Sequence, residues 1–142
     1  MARPKPQVGE TSRVVGKNAK RLREQMGLTL AQLGERLAAL GHPMSTASIS
    51  ELERGVRKAT VDDLTVFAAA LHVSPVALLM PESILEDTEM VSLTGVDRAL
   101  PMLLLPWLRG QEPFDEGDLR DPDAVEQFRR RSLPPWAWGS RR

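Results

Sequence analysis

The chain has 142 residues, 19 basic and 19 acidic side chains, and a formal net charge of zero. It contains no cysteine, which excludes disulfide frameworks, thiolate zinc sites and cysteine nucleophiles. The longest apolar run, residues 99–108, falls well short of the roughly 20 residues that a membrane helix needs, and the N-terminus lacks the apolar core of a signal peptide. We therefore expect a cytoplasmic protein made of one small domain and an extension.

The neutral total conceals two halves of opposite charge. Residues 1–58 hold 11 basic and 5 acidic side chains, a net charge of +6, whereas residues 59–142 hold 8 basic and 14 acidic ones, a net charge of −6. Such asymmetry is typical of chains in which one segment binds a nucleic acid. The zero net charge therefore does not exclude DNA as a partner.

The first part of the chain is expected to be an arm followed by an amphipathic helix. Residues 1–11 contain two prolines, a glycine and few apolar side chains, which predicts a flexible basic arm. Helix one is expected over about 12–26, with Gly27 beyond its end. Its inward positions follow one helical stripe: Val15, Ala19, Leu22 and Met26.

Helix two begins at a capping box in which Thr29 and Gln32 can satisfy each other's backbone donors. It is expected to end at Gly41, and the turn that follows contains Pro43, which disfavours helix at the residue before it. The inward positions of helix two are Leu30, Leu33, Leu37 and Leu40.

Helix three, expected over about 46–54 with Ser45 as its N-cap, presents small and polar side chains outward. A capped helix, a turn and a short helix of this kind form the arrangement in which one helix enters the major groove of DNA. The outward positions, which we predict to contact bases, are Thr46, Ala47, Ser48, Ser50 and Glu51.

Cationic residues surround this segment in the sequence. Arg54, Arg57 and Lys58 follow it directly, and Lys17, Lys20 and Arg21 lie on helix one. They are candidate phosphate contacts, which set affinity and position rather than sequence preference. Any one of these charges taken singly could equally belong to a solvated face.

Two further helices complete the domain. Thr60 and the acidic pair after Val61 start helix four, and Ser74-Pro75 starts helix five, which stops at Pro81. Because no strand pattern interrupts the five helices, we predict an all-α domain over 12–80. The inner face of helix four is expected to contain Val61, Leu64, Phe67, Ala68 and Leu71.

The remainder is expected to be an acidic spacer over 81–95, with a short strand near Val91, and a C-terminal extension over 96–142 of mixed or irregular structure. Asp121-Pro122 predicts the start of a helix that runs to about Arg131. The extension can pack back on helices four and five or stay partly disordered, form a dimer or partner surface, or hold a small molecule. The partner-surface candidates are Met102, Leu105, Trp107, Trp136 and Trp138.

Residues 15–80 resemble the Cro and lambda-repressor type of helix-turn-helix domain, often called the XRE family. The resemblance rests on five segments: 18–25 (NAKRLREQ), 27–29 (GLT), 33–37 (LGERL), 49–55 (ISELERG) and 71–75 (LHVSP). It implies a five-helix, lambda-repressor-like domain that binds operator DNA as a dimer with a reading helix that begins near Ser45.

The resemblance also implies roles for single residues. It assigns base contacts to Thr46, Ala47 and Glu51, and backbone contacts to Arg54 and Lys58, with Arg57 added by proximity. It pairs Arg23 with Glu53, and we expect this ion pair to be partly buried and structural.

The sequence departs from the family pattern in three places. Leu30 replaces a glutamine that often contacts phosphate, and the segment 38–43 is about five residues longer than the common turn, as in some actinobacterial members. Glu51 is acidic where a neutral reader is common, so it can accept from a cytosine amino group or simply face water.

These observations favour a sequence-specific DNA-binding transcriptional regulator. We expect a homodimeric repressor that reads double-stranded DNA with helix three and sits at the nucleoid when bound. The alternative is a protein-interaction module, such as an antitoxin-like or co-regulator protein that acts through its aromatic acidic tail. The sequence has no nucleophile–base pair, phosphate loop or metal-ligand spacing, since its two histidines, His42 and His72, lie far apart. We therefore expect no enzymatic activity, metal or cofactor.

Overall fold

The computed structural model describes residues 7–83 and 89–139. Within them the chain forms eight α-helices, one two-stranded sheet and a short 3-10 helix. None of the described helices is long and apolar enough to span a membrane. The elements are α1 (Glu10–Gln25), α2 (Leu30–Ala39), α3 (Thr46–Glu53), α4 (Val61–Ala70), α5 (Pro75–Leu79), β1 (Val91–Leu93), β2 (Val96–Ala99), α6 (Pro101–Leu108), α7 (Glu116–Leu119), α8 (Pro122–Ser132) and the 3-10 helix Pro135–Ala137.

The chain divides into two compact units. Among the described residues, the first unit contains 7–82 and Ser92–Gly95, and the second contains the rest. The first unit therefore holds α1–α5, and the second holds α6–α8. The predicted all-α domain, followed by an extension of mixed structure, is confirmed.

The core of the first unit is built around α1, which packs against both α3 and α5. A Cβ atom added at Gly16 would overlap the carbonyl oxygen of Leu52, so glycine allows the backbones of α1 and α3 to approach closely. The buried apolar side chains of this core are Val15, Ala19, Leu33, Leu37, Ile49, Leu52, Phe67, Ala68, Ala70, Leu71 and Leu78.

Side-chain caps fix where the helices begin. The Thr29 N–H donates to Gln32 Oε1 at 2.8 Å and the Gln32 N–H donates to Thr29 Oγ1 at 3.1 Å, as the sequence predicts. Thr60 and Asp63 form a second capping box at α4, with both bonds at 2.9 Å. Such caps satisfy backbone donors that a helix leaves without intrahelical partners.

The predicted inward stripes extend too far at three helix ends. Met26 is 39% exposed, Leu40 52% and Val61 81%. Met26 and Leu40 are C-cap residues and Val61 is the first residue of α4. The predictions for these three residues were wrong because burial at a helix end depends on whether another element covers it, which helical periodicity does not show.

Helix α1 begins two residues earlier than predicted. Gly9 is its N-cap, and Glu10 places a negative charge in the first turn, where the helix dipole favours it. Glu10 and Thr11 therefore belong to the helix and not to the predicted arm. The Thr11 and Thr94 side chains each accept from the other's backbone N–H, at 2.9 and 3.2 Å. Residues 1–6 of the predicted arm lie outside the described residues.

The second unit contains more helix than the sequence predicted. Pro101 lies in the first turn of α6, where its missing N–H costs no hydrogen bond, and Pro106 lies inside the helix. The predicted helix after Asp121 is present as α8 and ends at Ser132. Val96 and Leu104 are buried in this unit. The predicted strand near Val91 is also present, as β1.

Candidate nucleic-acid interface

Helix α3 has a buried face and an accessible face. Ile49 and Leu52 are fully buried, which fixes the helix on the first unit. Of the five predicted base-contacting residues, Thr46 and Ala47 are exposed, whereas Ser48, Ser50 and Glu51 are partly buried. The small side chains at the N-terminal end of α3 therefore leave its backbone open to a close approach.

The N-cap of α3 orders these side chains. Ser45 Oγ accepts from the Ser48 N–H at 3.1 Å and donates to Ser48 Oγ at 3.0 Å. Farther along, Ser50 Oγ accepts from Arg54 Nε at 3.3 Å. Ser45, Ser48 and Ser50 are thus positioned by hydrogen bonds within the helix, while their exposed edges stay available to a partner.

Arg23 and Glu53 form a bidentate ion pair between α1 and α3. The Nε–Oε2 and Nη2–Oε1 distances are both 2.8 Å, and Arg23 Nη1 donates to the Leu28 carbonyl, also at 2.8 Å. The two side chains are 11% and 3% exposed. The hydrogen bond to Glu53 raises the pKa of Arg23, against the opposing effect of burial. This pair holds the C-terminal end of α3 against α1.

The predicted backbone-contacting cations are accessible. Lys17 and Lys20 are exposed on α1, and Arg54, Arg57 and Lys58 are exposed at or after the end of α3. Arg21, which was also a candidate phosphate contact, has partners within the first unit. Its Nε lies 3.6 Å from Glu82 Oε2, and its Nη2 donates to Asn18 Oδ1 at 3.3 Å.

A contact that the sequence did not reveal anchors the loop carrying Arg57 and Lys58. The Ala59 N–H, directly after that loop, donates to Ser12 Oγ at 3.1 Å. At its start, Gly55 adopts a φ of +71°, and the Val56 N–H donates to the Glu51 carbonyl at 3.0 Å. No periodicity marks Ser12, since a serine in the first turn of a helix is ordinary.

The lengthened turn before α3 carries a second unforeseen contact. His42 Nε2 lies 2.9 Å from Asp63 Oδ1, and the Asp63 side chain is 3% exposed. The two residues are 21 positions apart, so helical spacing does not connect them. The only sequence signal was the capping position of Asp63.

The five predicted partner-surface residues of the second unit are not equally accessible. Trp107 packs edge-on against Phe114, with ring centroids 5.1 Å apart, and Trp138 Nε1 donates to the Leu133 carbonyl at 2.9 Å. Leu105 is partly buried. Met102 is 59% exposed and Trp136 is 86% exposed. These two therefore form the most accessible apolar part of that set.

Comparison with known families matches residues 15–79 to a family model described as a helix-turn-helix domain. No curated protein and no solved structure gives a significant match. The matched segment spans α1 to α5 and includes the capped α2, the turn and α3. In domains of this kind the second helix of the motif lies in the major groove of DNA. The match and the order of the helices identify residues 15–79 as a helix-turn-helix fold.

Proposed function

We propose that the chain is a sequence-specific transcriptional regulator that reads the major groove with α3. The observation that carries the proposal is the division of α3 into a buried face and an accessible N-terminal end of small side chains, followed by exposed cations. An accessible helix end suits base reading, and the cations suit phosphates. Its operation as a repressor of the XRE type in the cytoplasm, at the nucleoid when bound, belongs to the same proposal.

Base reading is assigned to Thr46, Ala47, Ser48, Ser50 and Glu51. Thr46 and Ala47 are the most exposed of these, and a threonine or alanine methyl group can contact the thymine methyl in the major groove. Glu51 can accept from a cytosine amino group. Backbone contacts are assigned to Ser45, Lys17, Lys20, Arg54, Arg57 and Lys58, which carry no sequence information themselves.

Selection of bound duplexes from a random library at two salt concentrations tests this function. A sequence-specific protein enriches a defined consensus, and a homodimer enriches two half-sites about 34 Å apart along the helix axis. Absence of any enriched sequence at both salt concentrations contradicts the proposed function.

A charge-removal variant tests the docking face. Arg57→Ala with Lys58→Ala should weaken binding to every duplex. It should also reduce the slope of log affinity against log salt by about 2, because each phosphate contact releases roughly one counterion from the DNA. Arg120→Ala with Arg131→Ala removes the same charge from exposed sites in the second unit and should leave the slope unchanged. Equal slopes for both double variants would show that the assigned face is wrong.

A protein partner for the second unit is the second candidate function, favoured by the exposure of Trp136 and Met102. Exposed aromatic residues are common anchors of protein interfaces. Light scattering of the full chain and of Trp136→Ser tests whether this partner is a second copy. A dimer that the substitution converts to a monomer supports self-association through Trp136, whereas an unchanged mass excludes it.

A further inference from the structure

The turn that joins α2 to α3 is tied to the first unit by two side chains. Gly41, whose φ is +81°, follows the C-cap residue of α2, and residues 42–45 have no regular structure. His42 Nε2 meets Asp63 Oδ1 at 2.9 Å, and Met44 packs against the hydrophobic core. Apart from His42 and Met44, the residues of the turn are exposed: Leu40, Gly41, Pro43 and Ser45.

Asp63 is a fixed acceptor for His42. Its Oδ2 accepts from the Thr60 N–H at 2.9 Å, and its own N–H donates to Thr60 Oγ1 at 2.9 Å. These bonds hold the carboxylate in one orientation and leave Oδ1 facing His42. A carboxylate only accepts hydrogen bonds, so Nε2 carries the hydrogen.

The position of the turn determines where α3 begins. Thr46, the first residue of α3, is four positions after His42, and Ser45 between them is the N-cap. The proposed base readers Thr46 and Ala47 lie in this first helical turn. A recognition site works only when its groups are held within about 0.5 Å and 10–20°, whereas contacts to phosphate depend mainly on charge.

We infer that His42, held against Asp63, is a positioning residue that sets the orientation of the N-terminal end of α3 and thereby the sequence specificity of DNA binding. The inference rests on the proposed function, because it assigns the reading of bases to α3. Loss of the His42–Asp63 contact lets the turn shift and weakens base contacts, while the exposed cations continue to hold any duplex.

The first experiment compares affinities for two probes, the duplex enriched by the selection and a scrambled duplex of the same composition. His42→Ala should reduce the ratio of the two affinities about 10-fold, the effect of weakening one base contact, with affinity for the scrambled duplex unchanged. His42→Gln, whose amide can donate to Asp63, should restore most of the ratio. His72→Asn is the matched control, because His72 is the other histidine and is exposed at a φ of +54°, which asparagine tolerates.

The second experiment measures amide hydrogen exchange of the full chain without DNA. In His42→Ala, exchange at Ser48 and Ile49, whose N–H groups are bonded to Ser45, should accelerate about 10-fold. The amides of Phe67 in α4 and of Leu71, its C-cap residue, should keep their wild-type rates. Gln at position 42 should return Ser48 and Ile49 toward the wild-type rates.

The two experiments separate the inference from the function on which it rests. If wild type prefers a sequence and His42→Ala keeps both its affinity ratio and its exchange rates, the inference is overturned and the proposed function stands. A uniform acceleration at every amide, with an unchanged affinity ratio, also overturns it, because His42 would then contribute only to global stability. If wild type shows no sequence preference, the proposed function fails, and the specificity role fails with it.

Discussion

Replacing Arg23 with methionine should destabilise the first unit far more than the loss of a surface charge would. The substitution keeps much of the apolar volume of the side chain but removes both bonds to Glu53 and the bond to the Leu28 carbonyl. The Glu53 side chain, only 3% exposed, is then left as a buried carboxylate without its partner.

The magnitude follows from this burial. Breaking a buried ion pair from one side costs about 3–5 kcal/mol in the free energy of unfolding, and the lost bond to Leu28 adds about 1 kcal/mol. With a urea m value of about 1–2 kcal/mol/M, the midpoint of unfolding should fall by about 2 M or more. By contrast, the side chains of the Arg13–Glu10 pair are 52% and 46% exposed, respectively, and Glu10→Gln should cost less than about 1 kcal/mol.

Urea unfolding followed by circular dichroism at 222 nm measures these values. The double variant Arg23→Met with Glu53→Leu should be more stable than Arg23→Met alone, because it removes the stranded charge as well. The reasoning is refuted if Arg23→Met costs no more than Glu10→Gln. It is also refuted if the costs of Arg23→Met and of Glu53→Leu alone add up to the cost of the double variant, because the pair is then not a coupled interaction.

Substitutions at Gly16 and Asn18 test the packing of α1 by the same unfolding assay. Gly16→Ala should cost at least about 2 kcal/mol in the free energy of unfolding, because the new Cβ overlaps the Leu52 carbonyl. The control Gly34→Ala, whose Cβ would lie 3.5 Å from the Met44 carbonyl oxygen, should be neutral or stabilising by up to about 1 kcal/mol. Equal effects of the two substitutions would contradict the close approach of α1 and α3. Asn18→Ala should cost about 2–3 kcal/mol, because Asn18 Nδ2 donates to two carbonyls at 2.8 Å. Asn18→Asp should cost more, because its carboxylate faces those oxygens without a donor. An Asn18→Asp variant as stable as wild type would show that these bonds do not contribute to stability.

Local sequence signals were sufficient for most of the first unit. The capping box at Thr29, the N-cap at Ser45 and the Ser74-Pro75 start of α5 are present as predicted, because each depends on residues within three positions. The helical stripes identified most of the core for the same reason. They failed at Met26, Leu40 and Val61 because burial at a helix end depends on which other element covers it.

The contacts that sequence reasoning missed join distant parts of the chain. Ser12 meets Ala59 across 47 positions and His42 meets Asp63 across 21, and no periodic pattern links such pairs. In the second unit, residues 96–142 were expected to be of mixed or irregular structure. The helix α6 forms there nevertheless: Pro101 occupies its first turn, where no hydrogen bond is lost, and Pro106 removes one bond inside the helix without ending it. The roles assigned to single residues of α3 stay predictions, because DNA contacts depend on a partner.

The central place of α1 has a consequence for synthesis of the chain. Helix α1 is made before α5, yet it packs against α5, and the Asn18 side chain needs the carbonyls of Leu78 and Met80. At about 5–20 residues per second, roughly 3–10 s separate the emergence of Gln25 from that of Met80. During this interval the apolar stripe of α1 is exposed, so the nascent first unit is a candidate for binding by chaperones until α5 has left the ribosome.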